Sequence, residues 1–241
     1  GQYIVAPFLF FSGYAVQLKL SDEKWANSMF RRRVLTTLVN FDIAVLVFAA
    51  LCLIMQTQIT WGKFTLALTG WGSVGNSNWY IFAIICCYLF SWMSFKIAGQ
   101  GVRQIVLLSA LLIAYSLVLG KCGKGYYWFD TIYCYGAGAF FCHFRERILT
   151  FAKAHYIPLL SLLIVMYFAC LLIPNIYGIK PNTSAICLCF FIALLMIKVR
   201  FGNPVAIWLG ANLFPLYIYQ RIPMIVLKDT FPTTLPCAYA Y

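Results

Sequence analysis

Residues 34–56, VLTTLVNFDIAVLVFAALCLIMQ, carry one charged side chain, Asp42, over a length that crosses a lipid bilayer. The chain repeats this pattern. Apolar runs return at residues 1–18, 34–56, 79–95, 104–119, 129–144, 157–173, 184–197 and 204–220. No polar block between them is long enough to fold alone. An open sheet edge cannot sit in hydrocarbon, where every backbone N–H and C=O needs an internal partner, so these runs are read as helices. The expected fold class is all-α: a polytopic transmembrane helix bundle with eight visible spans, in one domain over residues 1–241.

Composition agrees. Of 241 residues, 63% are hydrophobic and 10% charged, against about half and about a quarter in soluble domains. Aromatic residues reach 18%, which suits rings placed at two lipid–water boundaries. The ten cysteines form no CxxC pair and lie mostly in apolar runs. They read as small hydrophobes, with neither a disulfide framework nor a metal site expected. The chain opens on Gly1 in mid-run without a charged leader. It is expected to be a piece of a longer protein, lacking upstream sequence and ending short at Tyr241.

A net charge of +12 raises nucleic acid as a partner, but the placement of charge argues against it. Lys19, Lys24, Arg31, Arg32, Arg33, Lys96, Arg103, Arg145, Arg147, Lys153, Lys198 and Arg200 fall in one alternate set of loops, 12 in all. The other set holds 6: Lys63, Lys121, Lys124, Lys180, Arg221 and Lys228. The richer set is read as cytoplasmic. The expected location is therefore the cell membrane, multi-pass, with the Arg-rich loop at 19–33 inside and residue 1 outside. Segment 59–75, ITWGKFTLALTGWGSVG, holds Lys63 and late glycines. It is read as interfacial or re-entrant, because a span there would invert every later helix.

Polar residues inside such a chain each need a reason. Asp42 sits inside its span, where an acid is costly. It either lines a polar pocket or hydrogen-bonds another helix. Arg31, Arg32 and Arg33 either pin the cytoplasmic end of a span or bind an anion, since the guanidinium fork suits phosphate. In FFSGY (10–14), Ser12 and Gly13 are small enough for close helix approach, and Tyr14 has a hydroxyl that can face a cavity. In GNSNWYIF (75–82), Asn76, Ser77 and Asn78 can cap the helix that Trp79 begins, on the outer side where a substrate would also arrive. Asp130 in WFDT can cap the fifth span. In LFPLYIYQRIP (213–223), two prolines kink a helix bearing Tyr217, Gln220 and Arg221. Arg221 either lines a site or reaches the interface. His143 and His155 lie beside basic residues and carry no catalytic pattern. No phosphate-binding loop, GxSxG or HExxH occurs.

Four stretches in this order resemble the membrane-bound acyltransferase type 3 family, which includes bacterial O-acetyltransferases of surface polysaccharides. APFLFFSGYAV (6–16) is similar to the family's second helix, and FRRRVLTTL (30–38) to the Arg-rich start of its third. GNSNWYIFAIICCYL (75–89) is similar to its fourth, and LGANLFPLYIYQRIP (209–223) to a late helix. The family fold has about ten transmembrane helices, so the resemblance places one ahead of residue 1. It also places the family's general base, a His, on that helix, and leaves the catalytic residue of this chain unknown. Gln220 stands where many members carry His, and Gln cannot titrate.

The resemblance implies acyl transfer, with acetyl-CoA or another acyl-CoA as donor substrate and a carbohydrate hydroxyl as acceptor. It also implies that no cofactor is bound. Arg31, Arg32 and Arg33 would meet the donor's phosphates. Tyr14, Asp42, Asn76, Asn78, Trp79, Tyr217, Gln220 and Arg221 would line the substrate path. The expected partners are the lipid bilayer, acyl-CoA and the carbohydrate, with no nucleic acid. A carrier moving a lipid-linked saccharide or small metabolite without chemistry is the alternative, since broken helices and an intramembrane acid suit it too.

Overall fold

The computed structural model describes residues 2–172, 174, 179–199 and 202–230. Among these there is no β-strand. The helices are α1 (Gln2–Lys19), α2 (Glu23–Met29), α3 (Thr36–Ile54), α4 (Trp61–Leu68), α5 (Trp79–Ala98) and α6 (Val102–Lys121). They continue as α7 (Tyr133–His143), α8 (Arg145–Ala154), α9 (Tyr156–Leu172), α10 (Ile179–Lys198), α11 (Pro204–Ala211), α12 (Leu213–Tyr219) and α13 (Arg221–Thr230). A π-helical turn, Phe30–Leu35, joins α2 to α3, and a 3-10 turn, Tyr126–Trp128, precedes α7.

Four helical segments are long and apolar enough to cross a membrane: Glu23–Ile54, Trp79–Ala98, Val102–Lys121 and Lys180–Lys198. Arg145–Ala154 and Tyr156–Leu172, bent by 103°, make a fifth if taken together. The surfaces of these helices are greasy. Leu53, Ile54, Ile157, Phe168 and Leu172 are all more than half exposed, as a lipid-facing exterior requires. Of the remaining expected spans, α1 keeps the length of its apolar run, whereas two others do not. The run at 129–144 contracts to α7, because the 3-10 turn and Asp130–Ile132 precede the helix. The run at 204–220 divides at Asn212, whose side-chain amide donates to the carbonyl of Trp208 at 2.9 Å. Pro215 and Pro223 each lack the N–H that would continue the ladder, and a second break falls at Gln220. Segment 59–75 contains only α4, about 12 Å long at 1.5 Å per residue, short of a span.

The chain divides into two compact units. The first comprises Gly1–Thr37 and Phe82–Phe201. Its centre is the contact of α1 with α7, where the backbones touch. A Cβ on Gly13 would strike the carbonyl of Tyr135, and one on Gly138 would strike the carbonyl of Phe10. Small residues let helices approach so closely where hydrophobicity alone gives no drive, since lipid is as apolar as Leu. Phe10, Phe141 and Phe190 meet edge to face at 5.6–5.8 Å, tying α1, α7 and α10 together. Gln17 and Gln104 exchange two side-chain hydrogen bonds, at 3.1 and 3.0 Å, and pin α1 to α6 without leaving a buried amide unpaired.

The second unit comprises Leu38–Ile81 and Gly202–Tyr241. The loop between α4 and α5 is stitched back on α3 by the Cys52 thiol, which donates to the carbonyl of Val74 at 3.3 Å. Gly75 turns that loop at φ +108°, a region L side chains rarely adopt.

Candidate functional site

The arginines at 31–33 do not behave alike. All three lie in the π turn Phe30–Leu35, where the Thr36 hydroxyl donates to the carbonyl of Arg31 at 3.1 Å. An extra residue per turn shifts side chains relative to a regular helix, and such bulges recur at functional sites. Arg31 and Arg32 are exposed, whereas Arg33 is half-buried. Its guanidinium carbon lies 6.0 Å from the centroid of the Tyr88 ring, a cation–π distance.

The Tyr88 hydroxyl has Arg33 and Ser12 as polar neighbours. Tyr88 is buried, and its ring meets the fully buried Tyr135 at 6.3 Å. The Tyr135 hydroxyl shares a 2.8 Å hydrogen bond with Ser91, and Ser94 donates to the carbonyl of Ser91 at 3.0 Å. The first unit therefore gathers a seam of hydroxyl-bearing residues, the half-buried Ser12 and the buried Tyr88, Tyr135 and Ser91, beside one half-buried guanidinium. Such a seam offers hydrogen-bond donors in a low-dielectric interior, where they act strongly on developing negative charge. Tyr14 lies apart from it, against Phe141 at 6.0 Å.

Of this seam, sequence reading had singled out Arg33, and Ser12 only as a small packing residue. Tyr88, Ser91 and Ser94 were missed. They recur at i, i+3 and i+6 on α5, a one-face helical spacing that an apolar run conceals. Tyr135 had no signal of its own.

The second unit gathers another set. Asn76 is fully buried. Its Oδ1 accepts from the Val74 N–H at 3.1 Å and the Ser73 hydroxyl at 3.2 Å. The Asn78 amide donates to the carbonyl of Gly70 at 2.8 Å. These amides brace the turn that leads into α5, whereas the residue types alone suggest caps for that helix. The Nδ2 of Asn76 is buried with no hydrogen-bond partner. Trp79 and Tyr80 meet edge to face at 6.1 Å, and Tyr80 meets Tyr217 at 5.0 Å. The buried Tyr217 hydroxyl has Ser77 and Arg221 as polar neighbours, but no bond of good geometry to either. Arg221 is half-buried, and Gln220 is exposed. Asp42 is half-buried and its Oδ1 has no partner. Two stretches far apart in sequence, 76–80 and 217–221, are thus brought side by side.

The histidines lie elsewhere. His143 packs on Phe144 at 4.7 Å, and the exposed His155 meets the carbonyl of Phe151 at 3.3 Å. The cysteines from Cys52 to Cys189 are free thiols. Among the described residues, no group of three or more His, Cys, Asp or Glu could hold a metal ion.

A family model described as an acyltransferase domain matches residues 1–239. No curated protein and no solved structure matches the chain.

Proposed function

Since this chain belongs to the acyltransferase type 3 family, matched over residues 1–239, we propose that it is the membrane enzyme that moves an acetyl or other acyl group from acyl-CoA to a carbohydrate hydroxyl. The acceptor oxygen attacks the thioester carbonyl carbon, a tetrahedral oxyanion forms, and the C–S bond breaks. The hydroxyl proton passes to a base and ends on the coenzyme thiolate. The products are an O-acyl ester and free coenzyme thiol.

The observation that carries this reading is the division of labour among the arginines. Arg31 and Arg32 stand in solvent and meet the donor's phosphates as rigid, always-charged forks. Arg33 is turned onto Tyr88 and, with that hydroxyl, supplies donors where the oxyanion develops. We place residues 19–33 in the cytoplasm of a multi-pass cell-membrane protein. In that arrangement α1, α7 and the broken α11–α12 segment make eight spans together with the four long helices and the bent α8–α9 pair.

The break at Asn212 favours a carrier as second reading. A carrier would leave acyl-CoA intact. Membranes holding the full-length protein are expected to release coenzyme thiol from acetyl-CoA only with a polysaccharide acceptor present. Arg33→Ala is expected to lower that release about 10- to 100-fold, the scale of one lost charged donor. Equal release with and without the protein contradicts the proposal.

A further inference from the structure

Helix α8 carries charges that acyl transfer at Arg33 does not use. Its sequence, RERILTFAKA, includes Arg145, Glu146, Arg147 and Lys153, too many for a helix in hydrocarbon. Helix α9 is the opposite. Its 17 residues hold no charge and extend about 26 Å at 1.5 Å per residue, most of a hydrocarbon core of ~30 Å. Ile157, Val165, Phe168 and Leu172 on it are each more than half exposed. The two helices meet at 103°. Pro158 enforces the corner: it has no N–H to donate to the carbonyl of Ala154, so α8 cannot run on into α9. With α9 across the bilayer, a helix turned by that angle lies close to the membrane plane, at the headgroup boundary.

The two sides of α8 differ. Ile148, Leu149 and Ala152 turn inward, and Ala152 is fully buried. Arg147, Thr150, Phe151 and Ala154 recur at i, i+3, i+4 and i+7, so they share the outer face, and all four are exposed. With Glu146 they line an open recess of about 510 Å³. It offers a guanidinium, a hydroxyl and a bare aromatic ring. A phosphodiester with acyl chains attached matches all three. Further cations stand around it. Arg145 and Lys153 are exposed on the same helix. Lys198, the last residue of α10, holds its ammonium 4.2 Å from the centroid of the Tyr156 ring, which brings it to the α8–α9 corner. Four cations against Glu146 favour an anionic headgroup over a zwitterionic one, which brings its own ammonium.

We propose that the outer face of α8, with Lys198, is a binding surface for an anionic phospholipid of the surrounding bilayer. The lipid's phosphodiester meets Arg147 and Thr150, and its acyl chain runs along Phe151. This surface requires α9 in the bilayer and does not depend on acyl transfer.

Photo-crosslinking of the full-length protein tests it. The protein is placed in nanodiscs of dioleoyl phosphatidylcholine doped with a trace of diazirine-bearing phosphatidylglycerol or, as the neutral control, diazirine-bearing phosphatidylcholine. Labelled stretches are then mapped by mass spectrometry. Residues 145–155 are expected to take the anionic label well above the neutral one. Arg147→Gln should lower the anionic label about fivefold, the scale of one basic side chain meeting anionic lipid. Lys198→Gln should lower it too, whereas Arg147→Lys should keep most of it. These side chains are exposed, so each variant should fold, and equal unfolding temperatures check this. Equal labelling by the two lipids, or Arg147→Gln labelled as strongly as the wild type, overturns the proposal. So does loss of the label on adding coenzyme A, which would mark the recess as a site for a soluble phosphate.

Discussion

Arg33 differs from Arg31 and Arg32 because its guanidinium lies over the Tyr88 ring and its side chain is half-buried. A planar, delocalised cation suits that position and a hydrated ammonium does not. Arg33→Lys should therefore behave like Arg33→Ala in coenzyme release, whereas Arg31→Lys should keep most activity. Tyr88→Phe keeps the ring and removes the hydroxyl that neighbours Ser12 and Arg33. We expect a loss of about tenfold in rate with folding intact, the scale of a net 1–1.5 kcal/mol hydrogen bond. Asp130 gives a prediction with a pH sign. It sits in the turn before α7, and burial pushes its carboxyl up to about 7. A raised carboxyl favours the folded state below its ordinary range near 3.8. That share is lost as pH rises through about 7. Asp130→Asn should thus raise the unfolding temperature more at pH 8 than at pH 5; an equal shift at both contradicts the buried acid. At this scale the sequence exposed rare residues, such as the arginine triplet and the few acids. It hid the hydroxyls of Tyr88, Ser91 and Tyr135, because Tyr and Ser within apolar helices also read as ordinary packing.

The α1–α7 pair is the element on which the first unit depends. Gly13 and Gly138 each stand where the opposite backbone leaves no room for a Cβ. Gly13→Val or Gly138→Val must push the helices apart. The expected cost is about 1–3 kcal/mol or more, read as a lower unfolding temperature and loss of folded protein from membranes. Gly210 in α11 meets nothing within 4 Å, so Gly210→Ala should be neutral or stabilising by up to about 1 kcal/mol. Apolar runs were enough to place the long helices α3, α5, α6 and α10, since length and hydrophobicity are what lipid selects. They were not enough to place ends. Nothing in FRRRVL distinguishes a π turn from an α turn, and the contraction of α7 follows from packing that periodicity does not record.

For the whole molecule, the proposed orientation rests on the two-to-one division of Lys and Arg between the alternate loops expected from the sequence. Cys122, exposed just after α6, belongs to the poorer set and should face outward. A membrane-impermeant maleimide added to intact cells is expected to modify the peptide carrying Cys122, and Cys122→Ser should remove that signal. Modification only after lysis would reverse the orientation. The central claim is transfer of an acyl group to a carbohydrate hydroxyl, with Arg33 at the reacting centre. Its most direct measurement is the O-acyl ester content of surface glycans, by mass spectrometry, in a strain deleted for the full-length gene and complemented with wild type or Arg33→Ala. The account predicts loss of the ester on deletion, return with the wild type, and no return with Arg33→Ala at equal protein level. An ester content unchanged by deletion would contradict it.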